Sequence, residues 1–405
     1  MLSPRNSTQI RCNNIRTLLA AIKANGPVAK RELQKLTGLS WGAVSSLTGL
    51  LCEHGYIVSA GKQVTSVGRK PSELDINGDD HYIVGVDLNL SGLCGVITDM
   101  KGRIIREWLR LFARNEYDCI LDTLLALLDE IFAAFSHKQI LGIGLAVQGF
   151  VDMENGVSVY LPHVQGWKNV PLRRMMEERY GCSTLVLHDP NCIMVAEKAF
   201  GDSFMGIAEN AVLVRIDNGI GMAQMVNGQL CLGANGRAGE LEHVVVNTNG
   251  PVCACGNRGC LNAYATGGGL VRQFDEKVRQ GCPTIADTRQ VREQGYKILA
   301  AAAQNGDVLC RELFEQMGVY LGQALSTVYN LLNPDLIVLY GDLTAYRELF
   351  TEAVQRQLEA HVYKGIPAKL QFSALGRNAA AQGAALVVSD QKVAELDLPV
   401  DSMEE

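Results

Sequence analysis

The sequence predicts an α/β protein in which an N-terminal winged helix-turn-helix precedes a body of two related α/β lobes. Three observations carry that prediction. Charge is divided unevenly: Met1 to Gly78 holds ten Lys/Arg against four Asp/Glu, a net of +6, while the remainder carries −12, giving −6 over 405 residues. Within the basic arm, apolar residues recur at helical spacing on either side of a short glycine turn. Beyond it, a strand–acid–turn–strand unit occurs twice. A chain of this length has room for two or three domains with sizeable cores. Its 47% hydrophobic and 20% charged residues exclude wholesale disorder. No stretch reaches the ~18 uninterrupted apolar residues of a membrane span. Met1 to Arg16 lacks the apolar core of a secretory signal, so a cytoplasmic location and no membrane partner are expected.

The arm, residues 1–78, is built as follows. Ile15, Leu18, Leu19 and Ile22 mark one helix, which stops at Asn25-Gly26-Pro27. A second, short helix turns Leu33 and Leu36 inward and ends at Gly38. Ser40 caps a third helix with the stripe Val44, Leu47 and Leu51. The turn Thr37-Gly38-Leu39-Ser40 has the length and glycine of a DNA-binding helix-turn-helix. The outer face of the third helix carries Trp41, Gly42, Ser45 and Ser46, small enough to enter a major groove and able to hydrogen-bond there. Tyr56-Ile57-Val58 and Leu74-Asp75-Ile76 read as wing strands, and the tip between them brings Lys62, Arg69 and Lys70 to phosphates or a minor groove. Double-stranded DNA is therefore the expected partner of this arm, through Ser40, Trp41, Ser45, Ser46, Lys62, Arg69 and Lys70. A three-helix protein-interaction module, or an ordinary solvated basic surface, is the blander alternative.

Asn77-Gly78-Asp79-Asp80 is a turn-rich joint to the body. Lobe 1 is expected over 79–200, completed by a C-terminal helix at 379–392, and lobe 2 over 201–378. In the first, a strand from Tyr82 to Asp87 is followed by Asn89-Leu90-Ser91-Gly92 and a return strand ending near Asp99. A helix (Ile120 to Phe135) and a buried strand (Ile140 to Val147) come next. In the second, Ala211 to Ile216 ends at Asp217, turns through Asn218-Gly219-Ile220-Gly221, returns over Met222 to Val226, and reaches a buried strand at Leu336 to Tyr340. Duplicated lobes would face one another across a ligand-sized cleft.

A metal constellation stands out in lobe 2. His243 is followed by Cys253-Ala254-Cys255-Gly256-Asn257-Arg258-Gly259-Cys260. Three thiolates (Cys253, Cys255, Cys260) and the His243 imidazole satisfy tetrahedral Zn2+ with no open position, which is the pattern of a structural site. Gly256 and Gly259 permit the tight loop that binding by Cys253 and Cys255 together requires. A set of unligated thiols is the alternative. The other cysteines are spread thinly, as in a reducing compartment.

These residues resemble a known family. Gly239-Glu240-Leu241-Glu242-His243, its spacing to the cysteines, and Leu261-Asn262-Ala263-Tyr264-Ala265 are similar to the ROK family of repressors and sugar kinases. So are Gly142 to Asp152, Gly166-Trp167-Lys168-Asn169-Val170-Pro171-Leu172, His188-Asp189-Pro190-Asn191 and Ala379 to Ala385. The arm, with its Gly68-Arg69-Lys70-Pro71 exit, resembles that of the family's transcriptional regulators. The resemblance implies an actin/hexokinase-like two-lobe fold that binds a sugar.

The resemblance also separates two functions. In the family's kinases the first phosphate loop reads Asp-x-Gly-Gly-Thr; here it is Asp87-Leu88-Asn89-Leu90-Ser91. The second, Gly-Thr-Gly-x-Gly, is Asp217-Asn218-Gly219-Ile220-Gly221, and the nucleoside-side Gly-Gly is Gly341-Asp342. All three departures weigh against ATP and against an enzyme. The sugar half is better kept: Asp189 matches the catalytic base, and Glu240 and His243 match sugar contacts. His188 replaces an Asn and Asn262 a Glu, which bears on which sugar fits. Asp189 could alternatively be a helix cap, and Glu240 a surface carboxylate. The expectation is a sugar-responsive DNA-binding regulator, a repressor, with no catalytic residues. It would act as a homodimer or tetramer, with effector contacts at His188, Asp189, Glu240, His243 and Asn262. A sugar kinase with an appended DNA-binding domain is the rival, and a protein partner in place of the sugar a third reading.

Overall fold

A computed structural model describes residues 7–60, 73–78, 81–136, 139–204, 209–363 and 369–395. The chain divides into two compact units, Met1–His188 with Ala380–Glu405, and Asp189–Ala379.

The first unit opens with the helices and strands of a winged helix: α1 (Ser7–Asn25), β1 (Val28–Ala29), α2 (Lys30–Thr37), α3 (Trp41–Glu53), β2 (Ile57–Ala60) and β3 (Glu73–Ile76). Ile15, Leu18, Leu19, Ile22, Leu33, Val44, Leu47 and Leu51 close one core. Leu36, expected inward, is instead 51% exposed. Eight residues of α2 make barely two turns, so only one of its two leucines can face α1 and α3. Gly38 caps α2 in the left-handed region (φ +69°), its N–H donating to Gln34 O at 3.0 Å. The short β1 escaped the sequence reading because two residues carry no period; it pairs with β3, giving the order β1-β3-β2. The wing residues Lys62, Arg69 and Lys70 lie outside the described residues.

The same unit continues with β4 (His81–Asn89), β5 (Gly92–Asp99), β6 (Ile104–Arg110), α4 (Tyr117–Ala134) and β7 (Gln139–Val147). Then come β8 (Phe150–Asp152), β9 (Val157–Tyr160), β10 (Lys168–Val170), α5 (Leu172–Tyr180) and β11 (Ser183–His188). Its main sheet has the order β11-β7-β4-β5-β6, and β8 to β10 form a small separate sheet. There the Trp167 indole N–H donates to Ser158 Oγ at 2.8 Å, both buried.

The second unit contains α6 (Asp189–Phe200), β12 (Ala211–Ile216), β13 (Ile220–Val226), β14 (Gln229–Leu230), α7 (Gly267–Arg279), α8 (Thr288–Gln294) and α9 (Tyr296–Gln304). It ends with α10 (Val308–Leu332), β15 (Leu336–Tyr340), α11 (Thr351–His361) and β16 (Lys369–Phe372). Its sheet order, β14-β13-β12-β15-β16, repeats that of the first unit strand for strand. In each, a meander of three antiparallel strands adds two parallel strands on the far side of the first. The division falls at His188/Asp189, ahead of the expected 200/201, because α6 packs on β12 and β13.

The last helix, α12 (Ala379–Glu395), returns to the first unit. Small residues on both sides make the contact possible. A Cβ on Gly85 of β4 would lie 2.0 Å from Ala381 O, and one on Gly144 of β7 2.4 Å from Ala384 O. The far end of α12 meets the winged helix: Val393 and Met100 belong to its core, and Lys23 Nζ of α1 donates to Ser389 Oγ and Asp390 at 2.7 Å each. Burial pushes the Lys23 ammonium pKa down, while Asp390 pulls it back up. Lys101 donates to Gly26 O at 3.1 Å and pairs with Asp75. Asn77 Nδ2 donates to Gly55 O at 2.8 Å, so the joint at Asn77 is pinned to the head. No described helix is long and apolar enough to cross a membrane.

Candidate functional site

The outer face of α3 is open, and most of its side chains are small. Ser40 Oγ accepts the Ala43 N–H at 3.3 Å, capping the helix. Trp41 is 48% exposed, Ser46 is exposed and Ser45 half-buried, while Val44, Leu47 and Leu51 turn inward. Nothing lies within 4 Å of a Cβ placed on Gly42. This face is free of bulky side chains apart from Trp41.

In the second unit, two tight 3-10 turns carry the metal and effector candidates. Leu241–His243 holds one candidate ligand, and Leu261–Ala263 follows Cys260; the Leu261 N–H donates to Val244 O at 2.9 Å, tying the turns together. The candidate ligand atoms of His243, Cys253, Cys255 and Cys260 all lie within 4.8 Å of one another. Cys253 Sγ is 4.0 Å from His243 Nδ1, and Cys255 Sγ is 3.7 Å from Cys260 Sγ. The loop folds because Cys253 N–H donates to Asn257 O at 2.7 Å and Gly256 (φ +91°) reverses the chain. Gly259 admits no side chain: its Cβ would sit 1.5 Å from Asn247 O. Burial, reinforced by the neighbouring Cys255 and Cys253 thiols, pushes the Cys260 thiol up to about 12. Crowded thiols resist ionising together unless a cation compensates them, and an imidazole with three thiols is a donor set that can hold a metal ion.

The other His243 nitrogen, Nε2, lies 3.2 Å from Glu242 Oε1. Glu240 is exposed and its carboxylate approaches the same pair, so Glu240, Glu242 and His243 converge. Burial, with Glu240 and Asp189 nearby, pushes the Glu242 carboxyl up to about 7, against a hydrogen bond from the Ile220 N–H. Asp189 is the first residue of α6, 3% exposed, and its carboxylate accepts from the Arg215 guanidinium. His188 ends β11, opposite Val147 in register. Asn262 sits in the second 3-10 turn, where its carbonyl accepts from Thr266 Oγ1 at 2.8 Å. Two residues of this region escaped the sequence reading, Arg215 and Glu242. A single charge inside the apolar strand Ala211–Ile216 was the available signal for the first, and a carboxylate packed between Glu240 and His243 for the second.

Side chains bond within or between the three turns that depart from the kinase phosphate loops. After β4, Leu90 N–H donates to Gln148 Oε1 at 3.1 Å, Ser91 N–H to Asn89 Oδ1 at 2.8 Å, and Asn89 Nδ2 to Asp87 Oδ2 at 2.8 Å. After β12, the Asp217 carboxylate accepts from Arg215 Nε at 2.7 Å and from the Asp342 N–H that follows β15. Backbone donors at Leu90, Ser91 and Asp342 are thus committed to side chains. A cavity of about 700 Å3, lined among others by Lys297, Gly341, Asp342, Tyr346 and Arg347, adjoins the β15 turn.

The ROK family profile matches residues 83–391. The chain is similar to the xylose repressor of Bacillus subtilis strain 168, with 27% identity over 389 residues, covering 95% of this chain and 97% of that protein. Among solved structures it resembles a ROK family transcriptional regulator, a homolog of the E. coli MLC protein, with TM-score 0.81, 26% identity, and coverage of 95% of this chain and 99% of that one. It also resembles the ROK hexokinase from Thermus thermophilus, with TM-score 0.62, 26% identity, and coverage of 75% and 97%.

Proposed function

Because the chain belongs to the ROK family, we propose that it is a sugar-responsive transcriptional repressor. The observation that carries this is the reach of the two structural likenesses. The regulator is matched over 95% of this chain and the hexokinase over 75%, a difference the size of the winged-helix head. The head offers α3 to a major groove, with Ser40, Trp41, Ser45 and Ser46 at its outer face and Lys62, Arg69 and Lys70 as phosphate contacts from the wing. A homodimer would read two half-sites one helical turn apart, and a tetramer could hold two such pairs.

Asp189, Glu240 and His243 supply acceptors and a donor for sugar hydroxyls, with His188 and Asn262 selecting among them. Zn2+ held by His243, Cys253, Cys255 and Cys260 would be structural. It would fix the imidazole through Nδ1 and leave Nε2 toward Glu242 and the sugar. The sugar acts by binding two conformations of the protein unequally, since equal affinity shifts nothing.

ATP-dependent phosphorylation is disfavoured because the turn after β4 spends two backbone donors on Gln148 and Asn89, and the turn after β15 one on Asp217. A coupled assay with ATP and a panel of pentoses, hexoses and N-acetylhexosamines tests the choice. The repressor reading expects binding of one sugar class by calorimetry without turnover. Turnover at about 1 s⁻¹ or more, the range of ordinary kinases, would favour the kinase.

A further inference from the structure

Arg215 stands at the penultimate position of β12, opposite Gly221 on β13 and Tyr340 on β15. Its side chain is 14% exposed and serves two carboxylates at once: the guanidinium pairs with Asp189, which is 4% exposed, and Nε donates to Asp217 Oδ2 at 2.7 Å. Asp217 in turn accepts the Asp342 N–H, and a Cβ on Gly341 (φ +113°) would come within 2.7 Å of Asp217 Oδ1. The α6 end of this chain of contacts is equally tight: Gly221 must be glycine, because its Cβ would meet Pro190 Cγ at 2.5 Å. Three elements, the start of α6, the end of β12 and the exit of β15, are therefore joined through one planar side chain.

We propose that Arg215 is the positioning residue of the effector site: it fixes the Asp189 carboxylate for a sugar hydroxyl and ties it, through Asp217, to the turn after β15. The proposal rests on the reading of Asp189 as an effector contact. A guanidinium suits this place because its planar fork reaches two carboxylates in fixed directions, whereas an ammonium is a single point charge on a flexible stem. An Asp189 oxygen held by Arg215 has its orientation set before a ligand arrives, and such preorganisation raises affinity by removing an ordering cost from binding. Any rearrangement of Asp189 on binding would also disturb the Asp217–Asp342 contact.

The experiment is calorimetric titration of a panel of pentoses, hexoses, N-acetylhexosamines and their phosphates into the full-length protein. The tightest-binding compound is then followed through Arg215→Met, Arg215→Lys, Asp189→Asn and the double variant Arg215→Met/Asp189→Asn. If Arg215 acts through Asp189, each of Arg215→Met and Asp189→Asn weakens binding about 30-fold or more, and the double variant loses no more than about threefold beyond the worse single. Arg215→Lys keeps the charge and should retain the fold while weakening binding about tenfold. Should Arg215→Met melt too early to assay, the lysine variant carries the test alone. Multiplication of the two single losses, or a lysine variant with unchanged affinity, overturns the proposal. Affinity unmoved by Asp189→Asn, or silence of the wild type toward the whole panel, overturns the effector reading instead.

Discussion

The turn after β4 and the turn after β12 hold the same place in two sheets of identical strand order, yet they are finished in different chemistry. The first is closed by neutral amides, Asn89 and Gln148, which take up backbone N–H groups while Asp87 holds the Asn89 amide. The second is closed by charge: Arg215 between Asp189 and Asp217, with Glu240, Glu242 and the sulfur cluster following in the same unit. Topology has been duplicated and chemistry has not. The charged side chains of this comparison, and the cluster that could hold a metal, lie in the second unit.

That contrast can be broken in the second unit first. Cys260→Ser removes a buried candidate ligand from the four-residue cluster. It should lower bound zinc from about one per chain to near none and cost about 4 kcal/mol in chemical denaturation. Retention of stoichiometric zinc, measured after dialysis against a weak chelator, would mean that the cluster is not the site. Asp217→Ala comes next, because it leaves the Asp342 N–H without its carboxylate and Arg215 with one partner fewer. A loss of about 3 kcal/mol is expected by urea titration, where the equivalent damage in the first unit should be much smaller.

Asp307 serves as a control away from both turns. It caps α10 through the Cys310 N–H at 2.7 Å and also accepts the Ile285 N–H at 2.6 Å and Thr284 Oγ1 at 2.8 Å. Burial would raise its carboxyl, but these hydrogen bonds outweigh burial and hold it below the usual value. A folded pKa below the unfolded one stabilises above the unfolded value and is lost as pH falls through the folded one. Asp307→Ala should therefore cost about 2 kcal/mol at pH 7 and progressively less below pH ~4, seen by comparing urea midpoints of the two proteins across that range. The smallest effect belongs to Gln148→Ala in the neutral turn, about 1 kcal/mol, since the Leu90 N–H it releases is only partly buried. A loss as large as that of Asp217→Ala would erase the distinction between the turns.

The sequence was most informative where one physical constraint acts on consecutive residues. Helical stripes such as Ile15, Leu18, Leu19 and Ile22, the apolar runs of β7 and β15, and the cysteine spacing after His243 each express a local rule. The repeated lobes were visible because strand, acid, turn and return strand follow one another in the chain. Long-range partnerships left no such trace. Nothing local joins Lys23 to Asp390, or Arg215 to Asp189, because these pairs form only once helices and strands have packed. Leu36 failed for a related reason: in two turns of helix, spacing alone does not decide which leucine the neighbours will cover. The start of the second unit moved to Asp189 because α6 belongs to the sheet it packs on and not to the strand it follows.

The most direct test joins the head to the sugar site in one measurement. Fluorescence anisotropy of a labelled fragment from the chain's own promoter region reports DNA retention as salt and sugar are varied. The account predicts tight binding that weakens steeply with salt, as phosphate contacts require. It also predicts release on addition of the sugar found by calorimetry, with release abolished by Asp189→Asn while DNA affinity without sugar is unchanged. Retention that ignores every sugar that binds, or release that survives loss of the Asp189 carboxylate, would contradict it.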